Sequence, residues 1–131
     1  MALKLKIIAP DKVVWDSDVD EVILPSQSGS LGILTNHAPL LTGLNIGVLQ
    51  VRMQNQMLNI AIDKGFAEVE NNIVTILVNQ ADRGDQIDLA KAQEARARAQ
   101  KILETSQDKA DLLTAQLNLQ RANAQIRAAG G

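Results

Sequence analysis

Hydrophobic and polar residues alternate along LKLKIIA, residues 3–9, and the same two-residue beat recurs in VDEVILP and VLQVRM. Alternation sends one set of side chains to each face of an extended chain, so these segments predict strands with one buried face. MLNIAID and NIVTILVN are short apolar runs bounded by turn residues and predict further strands. Asn71 and Asn72, between FAEVE and IVTILV, suit a tight antiparallel hairpin because Asn tolerates positive φ. Gln54 to Gln56 mark another turn. Short strands with regular punctuation predict a β-sandwich or flattened barrel.

The beat changes after Gly84. All but the terminal pair of the eight glycines, and all three prolines, lie at or before that residue. Beyond it, DLAKAQEARARAQKILE and DKADLLTAQLNLQRANAQIRAA are rich in Ala, Gln, Lys, Arg and Glu, which form helices readily. Asp85 or Asp88 is expected to cap the first helix, and Ser106 or Asp108 the second, across a break at Thr105 to Asp108. So short a connection predicts an antiparallel hairpin. The expected division is a strand domain over 1–84 and a helical hairpin over 85–131. Its expected apolar face combines Leu89, Ala92, Ala95, Ala99, Ile102 and Leu103 with Leu112, Leu113, Leu117, Leu119 and Ile126. Alanine buries little area, so the hairpin reads either as a permanent cap on the sheet or as an element able to detach and pack elsewhere.

Composition narrows the chemistry. A chain of 131 residues, 46% hydrophobic and 21% charged, supports a modest core. A formal charge of −2 gives no global attraction for nucleic acid or anionic lipid. The absence of cysteine excludes disulfides, thiolate nucleophiles and sulfur-ligated zinc. MALKLKIIAP lacks the apolar run of a signal peptide, and no stretch reaches the roughly 20 apolar residues of a membrane-spanning helix.

The single histidine, His37, lies in GSLGILTNHAPLL. Catalysis would require an orienting carboxylate and a nucleophile, and the nearby Ser26, Ser28, Ser30 and Thr35 form no such set. One histidine without cysteine makes a poor metal site. What is left is a histidine bonded to backbone or one at a protein contact, in a loop restrained by Pro39. Leu31, flanked by Gly29 and Gly32, reads as an exposed apolar contact point. Arg96, Arg98, Lys101, Arg121 and Arg127 form either a solvated helix face or, across two facing helices, an anion site.

Taken together, DEVILPSQSGSLGILTNHAPLLTGLNIGVLQVR, KGFAEVENNIVTILVNQADRG and QIDLAKAQEA resemble the epsilon subunit of the F-type ATP synthase, in its photosynthetic form, over essentially the whole chain. The resemblance implies a sandwich of about ten strands at the foot of the rotor shaft, followed by a two-helix domain. It implies one non-catalytic copy per complex, coupling the γ subunit to the membrane rotor ring on the cytoplasmic or stromal face of a thylakoid membrane. By the same resemblance Ser28, Gly29, Ser30 and Leu31 face the ring, while His37 and Thr42 lie toward γ. The helices are then expected to extend toward the catalytic α/β head and hinder ATP hydrolysis, with Arg96, Arg98, Arg121 and Arg127 as their charges.

Some members of that family bind ATP on the folded hairpin. Positions matching theirs are Asp82, Ile87, Asp88, Lys91, Arg98 and Arg121. Lys91 and Gln125 stand where those binders carry arginine, and neither offers a planar guanidinium fork, so weak binding or none is implied and no cofactor is expected. The alternative is a free-standing ligand-binding sandwich with a helical cap. Such a pocket favours aromatic walls, yet this chain has one Trp, one Phe and no Tyr.

Overall fold

The computed structural model describes residues 2–130. Eight strands come first: β1 (Leu3–Ala9), β2 (Lys12–Val19), β3 (Glu21–Ser26), β4 (Gly29–Ile33), β5 (Leu40–Leu44), β6 (Gly47–Met53), β7 (Gln56–Glu70) and β8 (Ile73–Arg83). A short 3₁₀ turn at Gly84–Gln86 leads to two helices, α1 (Leu89–Thr105) and α2 (Lys109–Ala128). The strand count is eight, not about ten, because segments that look separate in sequence are continuous. MLNIAID and FAEVE both belong to the 15-residue β7, and β8 runs for 11 residues beside it.

Those two strands carry the architecture. Strand order is β2-β1-β8-β7-β5-β3-β4, with β6 bridging β3 and β7. The first half of β7 pairs with β6, from Gln56 to Ile62, and the second half with β5, from Gly65 to Val69. The exchange occurs at Asp63 and Lys64, where Lys64 takes a φ of 33°. At Gly65 a Cβ would meet the Leu77 carbonyl oxygen at 2.0 Å, so the close passage of β8 admits only glycine. Along one edge β7 thus serves two neighbours in turn while β8 runs the length of its other edge, and the sheet folds over on itself. All pairings are antiparallel except β1 with β8, which is parallel from Lys4 opposite Ile73 to Ile8 opposite Leu77.

The two-residue beat lands as expected. In β1, Leu3, Leu5 and Ile7 are fully buried while Lys4 and Lys6 are exposed. They join Leu24, Ile33, Leu49, Val51, Ile60 and Ile76 in one core. The expected turns also form: Gln54 and Asn55, and Asn71 and Asn72, all take φ between 53° and 65°.

Of the two cap candidates for each helix, the aspartates nearer the helix serve. Asp88 accepts from the Lys91 amide, and Asp108 accepts from the amides of Ala110 and Asp111. The expected apolar seam holds at Ala92, Ala99 and Ile126 and is corrected elsewhere. Only Ala92 and Ala99 are buried on α1, and Ala115, Ala122, Ala124, Ile126 and Ala128 on α2. Leu113 and Ile102 are exposed. The reason is placement: the C-terminal half of α2 lies between α1 and the sheet, so its small side chains are enclosed, while the leucines sit toward the exposed hairpin bend. Ala124 and Ala128 pack on Ala61 of β7, with Ile46, Val48 and Ile87 around them. Gly84 lets this happen, since a Cβ there would come within 2.1 Å of the Ala128 carbonyl oxygen.

Candidate functional site

The β3–β4 hairpin presents the first expected contact. Ser26 pairs with Gly29 across a turn formed by Gln27 and Ser28, and Gly29 takes a φ of 113° that disfavours other residues. The turn is braced. The Ser26 hydroxyl donates to the Gly29 carbonyl at 2.7 Å, the Ser28 amide donates to Ser26 Oγ, and the Gln27 amide donates to the Gly43 carbonyl. Gln27, Ser28, Gly29 and Ser30 are exposed at this rigid tip.

Leu31 departs from expectation. It pairs with the buried Leu24 and packs, half-buried, against the core. Parity explains this: with Ser26 opposite Gly29, the residues that share the inner face of Val22 and Leu24 are Leu31 and Ile33. An exposed apolar contact at Leu31 is therefore withdrawn. Leu31→Asp is expected to lower stability by about 1–3 kcal/mol, since it removes a half-buried leucine packed on the core. A urea midpoint equal to that of the parent chain would refute the inward placement.

His37 sits at the opposite end of β4. Its amide donates to the Leu34 carbonyl, and its ring Nδ1 lies 2.7 Å from the Ala38 carbonyl, to which it donates. The neighbouring Asn36 amide donates to Asn72 Oδ1 at 2.6 Å, tying the loop to the β7–β8 turn. No carboxylate is bonded to the ring among the described residues. Thr42 pairs with the buried Ala67 and faces inward, whereas Leu41 pairs with Glu68, faces outward and is 68% exposed.

The outer face of the sheet carries a feature that sequence reading missed. Val13 pairs with Ile8, Ile8 with Leu77, Leu77 with Phe66, and Phe66 with Gly43. This is a register row across β2, β1, β8, β7 and β5. Val13, Leu77 and Phe66 are exposed, and Leu41 lies on the same face. The Gln27 side chain covers Gly43, at 2.6 Å from where a Cβ would stand, and so links this row to the hairpin tip. The signal was present in sequence. Phe66 is in phase with the exposed Glu68 and Glu70, an aromatic ring at a solvent position.

The nucleotide candidates divide. Asp82, Ile87, Asp88 and Lys91 line a cavity of about 540 Å³ with Lys12, Arg83 and Gln125, a volume in the range of small-molecule sites. Asp88 is already engaged as the α1 cap. Arg98 and Arg121 line a second groove between the helices, which shares Gln125 with the first, and Arg121 also lies with Asp82 and Gln125 around a small gap beneath α2. Arg121 is not free either, because its Nε donates to Asp63 Oδ2 at 2.8 Å. Gln125 donates to Asp82 at 3.3 Å. The other basic candidates do not converge: Arg98 and Arg127 are exposed, Arg96 is half-buried, and none of the three forms an ion pair among the described residues. Arg127, in the last turn of α2, complements the negative end of that helix dipole. No group of residues suited to hold a metal is found among the described residues. Among the described residues no helix is long and apolar enough to cross a membrane.

Residues 2–84 match the beta-sandwich domain of the ATP synthase delta/epsilon chain, and residues 85–130 match its long alpha-helix domain. The chain is 57% identical to the ATP synthase epsilon chain of Gloeobacter violaceus, over 99% of this chain and 98% of that protein. It is 46% identical to the chloroplastic epsilon chain of Porphyra purpurea, over 98% and 96%. A chain in the mitochondrial ATP synthase of Euglena gracilis has the same fold, with a TM-score of 0.85 at 22% identity, covering 99% of this chain and 82% of that one. Over its whole described length, then, with both its sandwich and its helices matched, this chain belongs to the ATP synthase delta/epsilon chain family.

Proposed function

We propose that the chain is the epsilon subunit of a proton-translocating F-type ATP synthase: a non-catalytic, single-copy part of the central stalk that joins γ to the membrane rotor ring. The observation that carries the reading is the uncovered apolar row from Val13 to Phe66. Leaving such residues in water on a small chain is unfavourable, and a partner that covers them recovers the burial. The outer face with Leu41, Phe66 and Leu77 is the γ dock, and His37 lies at its margin beside the β7–β8 turn. Thr42 contributes through its backbone, as its side chain turns inward. The hairpin tip of Ser28, Gly29 and Ser30 meets the polar loops of the ring, where exposed hydroxyls and amides suit a polar surface better than an apolar anchor.

In this reading the helices restrain ATP hydrolysis when they leave the sheet and reach the α/β head. Arg96, Arg98, Arg121 and Arg127 supply charge for that contact. ATP binding to the docked hairpin is weak, since Lys91 and Gln125 lack guanidinium forks and Asp88 and Arg121 are engaged within the protein. The chloroplastic relative from Porphyra purpurea supports a thylakoid setting, with the subunit held peripherally through its partners.

Because the chain has no cysteine, single-cysteine variants give an unambiguous test. Ser28→Cys is expected to cross-link to the ring and His37→Cys to γ in the assembled complex, with both variants copurifying with γ. A free-standing module would purify alone. Cross-links with the two partners exchanged would overturn the assignment of faces.

A further inference from the structure

We infer that the Arg121–Asp63 pair is a latch that holds the helical hairpin on the sandwich in the absence of any ligand. The two residues are 58 positions apart and meet at 2.8 Å, joining α2 to the point where β7 exchanges partners. The Asp63 side chain is only 13% exposed, and its second oxygen, Oδ1, is buried with no hydrogen-bond partner. Arg121 is thus the only side chain bonded to this carboxylate among the described residues. The guanidinium is steadied from its other side, where its Nη1 donates to Asn118 Oδ1 at 3.0 Å.

The rest of the docking surface is weak by comparison. Between α2 and the sheet the fully buried apolar contacts are Ala124 and Ala128 on Ala61, side chains with one methyl each, with Ile46, Val48 and Ile87 only partly buried around them. The other polar tie, Gln125 to Asp82, is neutral on one side and longer, at 3.3 Å. An ion pair that is mostly buried, with one member having no other partner, therefore contributes more than its neighbours to the choice between docked and released. Its loss is also asymmetric. Removing Arg121 leaves a buried carboxylate unpaired while the hairpin stays docked, and that penalty disappears when the hairpin lifts and water reaches Asp63. Neutralising Asp63 leaves only an arginine that is 38% exposed and able to turn to solvent.

The inference concerns the isolated chain and is tested there, so its failure is separate from failure of the rotor reading. Spin labels on Ser17→Cys and Gln116→Cys, both exposed positions, report the distance between β2 and α2. Amide hydrogen exchange at Leu5, Ile7 and Ile76, all in the sandwich core, reports the integrity of the strands. Arg121→Gln is expected to raise the released-to-docked ratio by about tenfold or more, the change that about 1.4 kcal/mol produces, with exchange at those core amides unchanged. Asp63→Asn should raise it less. The double variant Arg121→Gln with Asp63→Asn should be released less than Arg121→Gln alone, because the unpaired charge is gone. If Arg121→Gln leaves the distance distribution unaltered, or if the effects of the two changes simply add, the pair is not the latch. Should Arg121→Gln disturb exchange in the strands, Asp63→Asn supplies the reading: it removes the other half of the pair, and a released population no larger than that of the parent chain would then overturn the latch.

Discussion

Replacing Phe66 and Leu77 together by glutamate should weaken binding to γ by more than about 100-fold and leave the isolated chain folded. The two side chains are cross-strand neighbours on the outer face, 46% and 37% exposed, so neither contributes to the sandwich core. Covering the part of each side chain still exposed is worth about 1 kcal/mol, roughly two-fifths of the full burial of such a side chain. Desolvating a carboxylate at the same contact adds a cost in the same direction. Both costs at two positions together exceed the roughly 2.7 kcal/mol that corresponds to 100-fold. Binding of the purified variant to immobilised γ measures it directly, and Trp15 emission checks folding. Glu68→Gln, beside Leu41 on the same face, is the control for a general charge effect. Affinity within about threefold of the parent chain would show that γ does not dock on this row.

Cutting the chain after Gly84 should raise ATP hydrolysis by the assembled complex several-fold while preserving assembly. The cut separates little apolar packing. Across it lie Ala124 and Ala128 on Ala61 with the partly buried Ile46 and Val48 beside them, the Gln125–Asp82 hydrogen bond, and one ion pair whose carboxylate would gain water in place of Arg121. The core formed by Leu3, Leu5, Ile7, Leu24, Ile33, Leu49 and Ile76 is left intact. The outer apolar row and the hairpin tip are upstream of the cut, so attachment to γ and ring should persist. Complexes reconstituted with full-length and truncated chains, matched for bound subunit, decide the point. Equal hydrolysis rates would mean that the helices are a passive cap in this protein.

The strands were readable because period-two patterning is a local property. LKLKIIA shows which of its residues are buried without reference to any partner. The turns at Gln54–Asn55 and Asn71–Asn72 were readable for the same reason, since positive φ is a demand on the residue itself. Leu31 was misjudged because its facing depends on hairpin register, which follows from turn length rather than from the glycines on either side. The leucines of α2 were misplaced for a different cause. Helical periodicity states which residues share a face, but not which half of the helix lies on the sheet. Asp63 could not be singled out at all: its role arises only when a residue 58 positions later arrives beside it.

The parallel pairing of β1 with β8 sets an order of events during synthesis. Lys4 has Ile73 as its neighbour, about 70 residues downstream, and a ribosome adding 5–20 residues per second needs on the order of 4–14 s to make that stretch. During that interval β1 has only the local hairpin with β2, and one flank of LKLKIIA is an unpaired edge. Lys4 and Lys6 stand on this strand, and lysine on an exposed edge opposes pairing with a stray chain. Contacts so distant in sequence also make closure of the sheet a slow step, well behind formation of the helical hairpin. The same two lysines that mark the solvent face in the finished sandwich therefore also guard the nascent chain against aggregation while it waits for its last strand.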